Sequence, residues 1–309
     1  MRTQHAPRQP AFTLLEVLVV IIVVGLLVVL LLPAIMGARE RARRYQCAQH
    51  LHQLITAVHN YELANDVYPP GTLESTGPIQ NHAFGYHHNW LVQLLPYFEQ
   101  QSVAALIDRR VGVYHRNNAE ARDDMVIWTL DCPSQAAPGG GYSSYAAVYH
   151  DQERPIDTTN HGVFFLNSRV AFDDLTDGAS QTLFLGEKII EQGDLGWMSG
   201  TSATLRNTGI PLNTTGMPGG AINRASPRFW KNADGEWGYP EGIPEPAAGQ
   251  PPPPGPVLPV GGFASIHPGG CQFAFGDGHV VLLDATIALE VLQQLGHRSD
   301  GKLLSGDRY

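Results

Sequence analysis

An unbroken apolar segment near the start of the chain constrains the fold most strongly. Sixteen residues from Val17 to Leu32 include no charged or polar side chain. A helix from Phe12 to Met36 would be about 37 Å long, enough to cross a bilayer. Glu16 lies at the mouth of this segment, and an ionisable group in lipid costs roughly 2.5 kcal/mol or more. Glu16 is therefore predicted to have a functional role in which another group pairs with its carboxylate.

Three interpretations of the segment are open. The apolar core is too long for a secretory signal peptide, and no pair of small residues lies where a signal peptidase would cut. A plain membrane anchor explains the length but gives no reason for Glu16 or for the short leader before it. The third interpretation is a leader that is processed and then used for assembly.

The charge of the chain is divided between its two parts. The 309 residues have a net charge of −9, whereas residues 1–44 contain six arginines and two glutamates and are net positive. The remaining residues are strongly acidic. An acidic head on a basic stem argues against a nucleic-acid partner. The basic end of the stem suits the anionic headgroups of membrane lipids.

A helical stripe follows the membrane segment. Apolar residues recur at helical spacing and predict that the stem helix continues to Ala64, where Asn65 and Asp66 stop it. The stripe must pack on the head or on another subunit. Its members are Cys47, Leu51, Leu54, Val58 and Tyr61.

The rest of the chain predicts an α+β head. Short helices are expected at 90–97 and 99–108, and strands at 125–130, 163–166 and 183–185. Asp277-Gly278 is a strong turn signal, and it predicts a hairpin from residues 272–275 and 279–283. A final helix over 285–295 would be capped by Asp284 or Thr286.

Residues 193–262 differ in composition from their surroundings. They are rich in Gly, Pro, Asn and Thr, and 251–256 reads Pro-Pro-Pro-Pro-Gly-Pro. This composition predicts a long insertion or linker with polyproline II stretches, outside the core.

The catalytic motifs of common enzyme classes are missing from the sequence: it contains no phosphate-binding glycine loop, nucleophile elbow or zinc-protease motif. The chain is therefore predicted not to be an enzyme. His267 and Asp277 stand on the two sides of the predicted hairpin. A general-base role is conceivable, but a structural hydrogen bond between the two turns is favoured.

Metal binding has two candidate regions. Asp173, Asp174 and Asp177 precede a predicted strand and could hold Ca²⁺, although Asp is also a common turn former. His82, His87 and His88 form the densest group of histidines, where an ordinary polar loop is favoured over a metal site. No other cofactor is expected.

The N-terminus resembles the leader of type IV prepilins and of the pseudopilins of type II secretion. The matching residues are a short basic leader, then Ala11, then Phe-Thr-Leu-Leu-Glu and the apolar run. The resemblance implies that a prepilin peptidase cuts between Ala11 and Phe12 and methylates the new amine. It also implies that Glu16 pairs with the N-terminal amine of a neighbouring pilin-like subunit. The family usually has Gly where this chain has Ala11.

The head resembles a bacterial envelope family of unknown function with a C-terminal His-x9-Asp-Gly signature. His267 is followed by nine residues and then Asp277-Gly278, and further matches run in order along nearly the whole chain. The three cysteines could all be buried thiols, or two of them could form a disulfide. Because Cys47 and Cys132 lie on the family pattern and Cys271 does not, the resemblance implies a Cys47–Cys132 disulfide.

The two resemblances together imply a type IV pilin-like fold and a division of the chain into three parts. Residues 1–11 would be the leader, 12–64 the transmembrane and stem helix, and 65–309 an extracytoplasmic head with an antiparallel sheet. The chain is then a pseudopilin-like subunit of a type IV pilus or type II secretion-like system. It would cross the inner membrane once, with its N-terminus in the cytoplasm. The alternative is a tethered module that binds a solute or glycan and uses the leader only as an anchor.

Overall fold

The computed structural model describes residues 14–135, 141–191, 193–214 and 259–302. The chain divides into two units, one up to Arg43 and one from Arg44 onward. The described part of the first unit is the beginning of helix α1 (Leu14–Asn65). Its apolar side chains are exposed from Leu14 to Leu32. Among the described residues, α1 is the one helix long and apolar enough to cross a membrane.

The second unit is an α+β head. Its strands are β1 (Thr72–Leu73), β2 (His88–Asn89), β3 (Tyr145–His150), β4 (Leu183–Glu187), β5 (Leu205–Asn207), β6 (Gly270–Phe275) and β7 (Val280–Asp284). Its helices after α1 are α2 (Trp90–Leu94), α3 (Gln101–Leu106) and α4 (Leu289–Gly296). The described residues also form short helical turns, five of them 3₁₀ and one π, at Leu95–Tyr97, Arg116–Asn118, Glu120–Asp124, Trp128–Leu130, Phe172–Asp174 and Ala179–Gln181.

Five of these strands form the central sheet in the order β5-β3-β4-β6-β7. Neighbouring strands are antiparallel except for the β3–β5 pair, which is parallel. The predicted antiparallel sheet is therefore correct for four of its strands. The fifth strand, β5, lies at the edge of the sheet and is parallel to its neighbour β3.

The sheet separates two apolar cores. Along β3, Tyr145, Ala147 and Tyr149 face one core and Ala146 and Val148 face the other, because successive strand side chains point to opposite faces. The first core contains the second part of α1. The second contains the apolar side of α4. The order of layers is helix, sheet, helix.

The predicted stripe on α1 is confirmed. Cys47, Leu51, Leu54 and Val58 are fully buried in the first core. The helix ends at Asn65, and Asp66 adopts a left-handed φ of 60° that stops it. Residues 44–65 therefore belong to the head, rather than to a separate stem.

The predicted C-terminal hairpin is confirmed as β6 and β7. The hydrogen-bonded loop between β6 and β7 is one residue longer than the two-residue turn predicted from Asp277-Gly278. Phe275 N–H donates to His279 O over 2.9 Å and closes a three-residue loop. Gly278 has a φ of +93°, the left-handed position that such loops give to glycine.

Three other sequence predictions of secondary structure are wrong in whole or in part. Residues 125–130 contain a 3₁₀ turn at Trp128–Leu130, and residues 163–166 form no strand. The final helix begins at Leu289, and its N-cap Ala288 offers no capping side chain. Asp284 instead accepts hydrogen bonds from Thr286, so the predicted cap forms a turn before the helix.

The predicted insertion at 193–262 is wrong in its first part. Trp197, Met198 and Leu205 are buried in the first core, and Leu205–Asn207 forms strand β5. Residues 215–258, with the proline run, lie outside the described residues. Glycine- and asparagine-rich composition here marks tight turns between core residues, and tight turns share this composition with linkers.

Candidate functional site

Two features of the chain are candidates for function. The first is the N-terminal segment. Ala11 and Phe12, the predicted processing pair, lie outside the described residues. Glu16 is in the first turn of α1 and is exposed, as are the apolar residues that follow it. The segment therefore presents an apolar surface with one carboxylate near its start.

The second feature is a buried group of four side chains in the head. Cys47 comes from α1, Cys132 from the loop after Trp128–Leu130, Glu187 from the end of β4, and His267 from the loop before β6. One ligand atom from each lies within 4.8 Å of the others. All four residues are at most 5% exposed. We call this group the thiol–imidazole–carboxylate cluster.

His267 Nε2 lies close to an atom of each of the other three members of the cluster. It lies 3.3 Å from Cys47 Sγ and 3.4 Å from Cys132 Sγ. Glu187 Oε1 is also 3.4 Å away. An imidazole nitrogen has either one proton or one lone pair to offer, so it satisfies one of these three atoms at a time.

The carboxylate of Glu187 is only half satisfied by hydrogen bonds. Oε2 accepts the backbone N–H of Gln272 over 2.9 Å. Oε1 is buried and accepts no hydrogen bond from the described residues. A buried carboxylate oxygen without a donor is costly, so this atom points to a cation as its partner.

The two thiols of the cluster titrate as a pair. The S–H···S hydrogen bond from Cys47 lowers the pKa of Cys132, and the contact with His267 lowers it further. The same hydrogen bond, together with burial, raises the pKa of Cys47.

The disulfide implied by the family pattern is not formed in the structure. Cys47, Cys132 and Cys271 are all free thiols. Cys47 and Cys132 do lie in the same cluster, as the family pattern implies, but each also contacts His267. Cys271 is fully buried outside the cluster, and its Sγ contacts the backbone oxygen of Glu187 at 3.3 Å.

The expected hydrogen bond between His267 and Asp277 is also wrong. Asp277 pairs with His279 across the hairpin loop. His267 faces the cluster and is 2% exposed. The turn residues at 268–269 separate His267 from β6, so His267 and Asp277 of the His-x9-Asp-Gly signature make separate contacts.

The three aspartates proposed for calcium each have a local role or an exposed position. Asp174 accepts the N–H of Ala171, and Asp177 accepts the N–H groups of Asp300 and Gly301. Asp173 is exposed. Among the described residues, the groups whose ligand atoms gather closely do not include them. The contacts match turn chemistry, and calcium at this loop stays a prediction.

Two other groups of histidines contact polar groups of the protein. His87 Nδ1 lies 3.1 Å from the Tyr114 hydroxyl, and His88 Nε2 lies 2.8 Å from Val111 O. The favoured interpretation of this region as an ordinary loop agrees with these contacts. His150 and His161 both contact the same oxygen of Asp151. That Asp151 oxygen therefore already has two hydrogen-bond partners within the protein.

Glu187 is the member of the cluster that the sequence did not reveal. It ends a strand with the order Leu-Phe-Leu-Gly-Glu, where a buried acid is unusual. A charged residue inside a run of buried apolar strand positions is the signal that could have found it. Cys47, Cys132 and His267 were each noticed, but for other reasons.

Comparisons with known protein families give a match for the head and a match for the N-terminal segment. The model of the family described as "Protein of unknown function (DUF1559)" matches residues 36–290, and the "Prokaryotic N-terminal methylation motif" matches residues 7–32. The type II secretion system core protein G of Klebsiella pneumoniae is 36% identical over 135 residues, which is 40% of this chain and 96% of that protein.

Shorter matches are found to further relatives of the same name. The protein of Pectobacterium carotovorum subsp. carotovorum is 41% identical over 66 residues, 21% of this chain and 42% of that protein. The Escherichia coli (strain K12) protein is 39% identical over 62 residues, 20% of this chain and 43% of that protein. The chain therefore spans less than half the length of these two relatives.

No solved structure gives a significant match to the chain. The helix–sheet–helix head and the long first helix are consistent with a pilin-like α+β fold. The chain belongs to the family described as a protein of unknown function (DUF1559), and it is a pseudopilin-like member that begins with a prokaryotic N-terminal methylation motif.

Proposed function

We propose that this chain is a structural subunit of a type II secretion-like or type IV pilus filament. The observation that carries the proposal is the match of residues 7–32 to the methylation motif. This match overlaps the exposed apolar part of α1. Relatives of the chain are named type II secretion system core protein G. An exposed helix of this composition needs either lipid or other apolar helices around it.

Maturation would begin with cleavage between Ala11 and Phe12 by a prepilin peptidase. The new N-terminal amine, once methylated, keeps its positive charge. Glu16 would then pair with the amine of a neighbouring subunit and fix the stagger between their helices. Pairing supports assembly because a carboxylate in an apolar layer is costly without an opposite charge.

The same proposal places the chain in the inner membrane as a single-pass protein. The N-terminus would face the cytoplasm and the head would lie outside it. The head is large and acidic, and long downstream domains can cross a membrane largely regardless of their charge. The basic residues at 39–44 would lie near lipid headgroups.

The role of the head would be structural rather than catalytic. His267, the signature residue considered as a general base, is buried among two thiols and a carboxylate. A general base must reach its substrate, and this imidazole faces other protein groups. The partners of the head would be other subunits of the filament.

Mass spectrometry of the mature N-terminus tests the maturation step. The chain is expressed with a prepilin peptidase and purified from membranes. We expect a chain that begins with N-methylated Phe12. Ala11→Gly should raise the processed fraction, because Gly is the usual residue before the cut. An intact Met1 in both forms would refute the processing step and favour the tethered binding module.

Glu16 tests assembly separately from processing. Glu16→Gln keeps the size of the side chain and removes its charge, so we expect correct cleavage with loss of crosslinking between subunits in membranes. Glu40→Gln is the matched control, since Glu40 lies on the same helix and pairs with Arg43 over 2.8 Å. If Glu16→Gln subunits crosslink as well as the Glu40→Gln subunits, the assembly role is wrong.

A further inference from the structure

The four side chains of the thiol–imidazole–carboxylate cluster have the chemistry of a zinc site. Zinc in proteins is held by Cys, His and carboxylate ligands, most often four of them in a tetrahedron. Two thiols, one imidazole and one carboxylate supply such a set. Calcium and magnesium prefer oxygen ligands only, so the two sulfurs argue against them.

The three distances from His267 Nε2 agree with tetrahedral coordination. Bond lengths of about 2.3 Å to sulfur and 2.0–2.1 Å to nitrogen or oxygen place neighbouring ligand atoms roughly 3.3–3.8 Å apart. The two sulfur–nitrogen distances are 3.3 and 3.4 Å, and the oxygen–nitrogen distance is 3.4 Å. A disulfide would require the two sulfurs at about 2.05 Å, with no need for the other two groups.

The Glu187 oxygen that accepts no hydrogen bond is the independent observation. Glu187 is 2% exposed, and its Oε1 lies 3.4 Å from His267 Nε2 without accepting a hydrogen bond from the described residues. The other oxygen is held by Gln272 N–H, which fixes the direction of the carboxylate. Such support of a ligand by a second contact is usual at metal sites.

From this geometry we propose that Cys47, Cys132, Glu187 and His267 bind one zinc ion. All four ligands come from the protein and all are buried, so no position is open for water or substrate. Closed sites of this kind are structural. The ion would join α1, the 132 loop, β4 and the loop before β6. This site is independent of the proposed filament role, which depends on residues 7–32.

The zinc content of the full-length chain tests the proposal. The protein is purified in detergent micelles without chelators, and bound metals are measured by inductively coupled plasma mass spectrometry. We expect about one zinc ion per chain. Cys132→Ser and His267→Gln should each reduce retained zinc by about tenfold or more. Cys271→Ser is the matched control, since it removes another buried thiol of the same head, and it should retain zinc.

Cobalt provides a test that requires no variant. Zinc is removed from the wild-type chain with a chelator and replaced with Co²⁺, whose absorption reports its ligands. We expect the intense visible bands of tetrahedral cobalt together with thiolate-to-cobalt charge transfer. The weak spectrum of octahedral cobalt would overturn the proposal even if the cysteine variants fail to fold.

A disulfide between Cys47 and Cys132 is the alternative to zinc binding by these two cysteines. Membranes are treated with an alkylating reagent immediately after lysis, and peptides containing Cys47 and Cys132 are analysed without reduction. Zinc-bound cysteines should appear as two separate peptides. A linked peptide in the wild-type chain, or zinc no higher in wild type than in His267→Gln, would refute the site. Correct N-terminal processing in the same samples would leave the proposed function standing.

Discussion

At the scale of single residues, the head keeps several histidines neutral by burying them. Burial lowers the pKa of His87 to about 3, and the neighbouring His82 adds to the effect. Burial also lowers the pKa of His82 and of His88. Glu74 acts in the opposite direction on His87, from 3.9 Å. Desolvation exceeds this attraction because the imidazole is almost fully buried.

His87 therefore makes stability depend on pH. In the unfolded chain an imidazole titrates near 6.5, so below this pH the unfolded state binds a proton that the folded state does not. The contribution of His87 is complete above pH 6.5 and is lost as pH falls from 6.5 toward 3. We expect the free energy of unfolding of the wild type to decrease between pH 7 and pH 5.

The variant His87→Asn should reduce that decrease by about 1–2 kcal/mol. Asn suits the position because His87 has a left-handed φ of 45°. Denaturant unfolding at the two pH values gives the measurement, and the exposed His115→Asn is the control. Equal pH dependence in His87→Asn and wild type would show that His87 is not buried as a neutral group.

At the scale of elements, α1 joins two environments in one helix. Its first part exposes leucine, valine and isoleucine side chains on all sides, whereas its second part buries a narrow stripe in the head. An element with a uniformly apolar surface suits lipid, and one with a stripe suits a folded domain. The boundary between the two units at Arg43 and Arg44 coincides with this change.

Two leucines of α1 offer a direct comparison. Leu54 is fully buried and Leu63 is 78% exposed. Leu54→Ala should lower the free energy of unfolding by about 2–5 kcal/mol, because it leaves a cavity in the first core. Leu63→Ala should change it by less than about 0.5 kcal/mol. Denaturant unfolding followed by tryptophan fluorescence measures both. Similar losses from the two variants would contradict the packing of this helix.

At the scale of the whole molecule, the head includes the last 22 residues of α1. The chain beginning at Arg44 retains Cys47 and the rest of the buried stripe. We therefore expect residues 44–309 to be soluble and to unfold cooperatively. The chain beginning at Asp66 lacks the stripe and should expose the apolar face of the sheet and aggregate.

Thermal unfolding and gel filtration of the two truncated proteins check this expectation. A folded, monomeric 66–309 would show that α1 is an accessory to the head. An insoluble 44–309 would show that the head depends on the segment before Arg44. Either result would change the boundary between stem and head.

Local signals predicted the parts of this fold that depend on neighbours in the sequence. The stripe on α1 and the β6–β7 hairpin were predicted because their patterns and turn residues are contiguous. β3 was missed because both of its faces are buried, so Tyr145–His150 shows no alternation. β5 was missed because it is three residues long and pairs with a strand more than 50 residues away.

The candidate site shows the same limit. Cys47, Cys132 and His267 were visible as residue types, but their meeting depends on a helix, two loops and a strand that are far apart in sequence. No spacing rule connects them, unlike the paired cysteines of a zinc finger. Glu187 could be understood only when the sheet placed its carboxylate inside the head.

The flanks of the segment 215–258 lie side by side in the head. Asn213 N–H donates to Phe263 O over 3.1 Å, and Ser265 N–H donates to the Asn213 side chain over 2.8 Å. A segment whose ends are held together can change its length at small cost, since each doubling of a loop costs only about 0.6 kcal/mol. Related chains can therefore diversify here while keeping the same sheet, and an epitope tag or a shortened linker placed between the two flanks should be accepted.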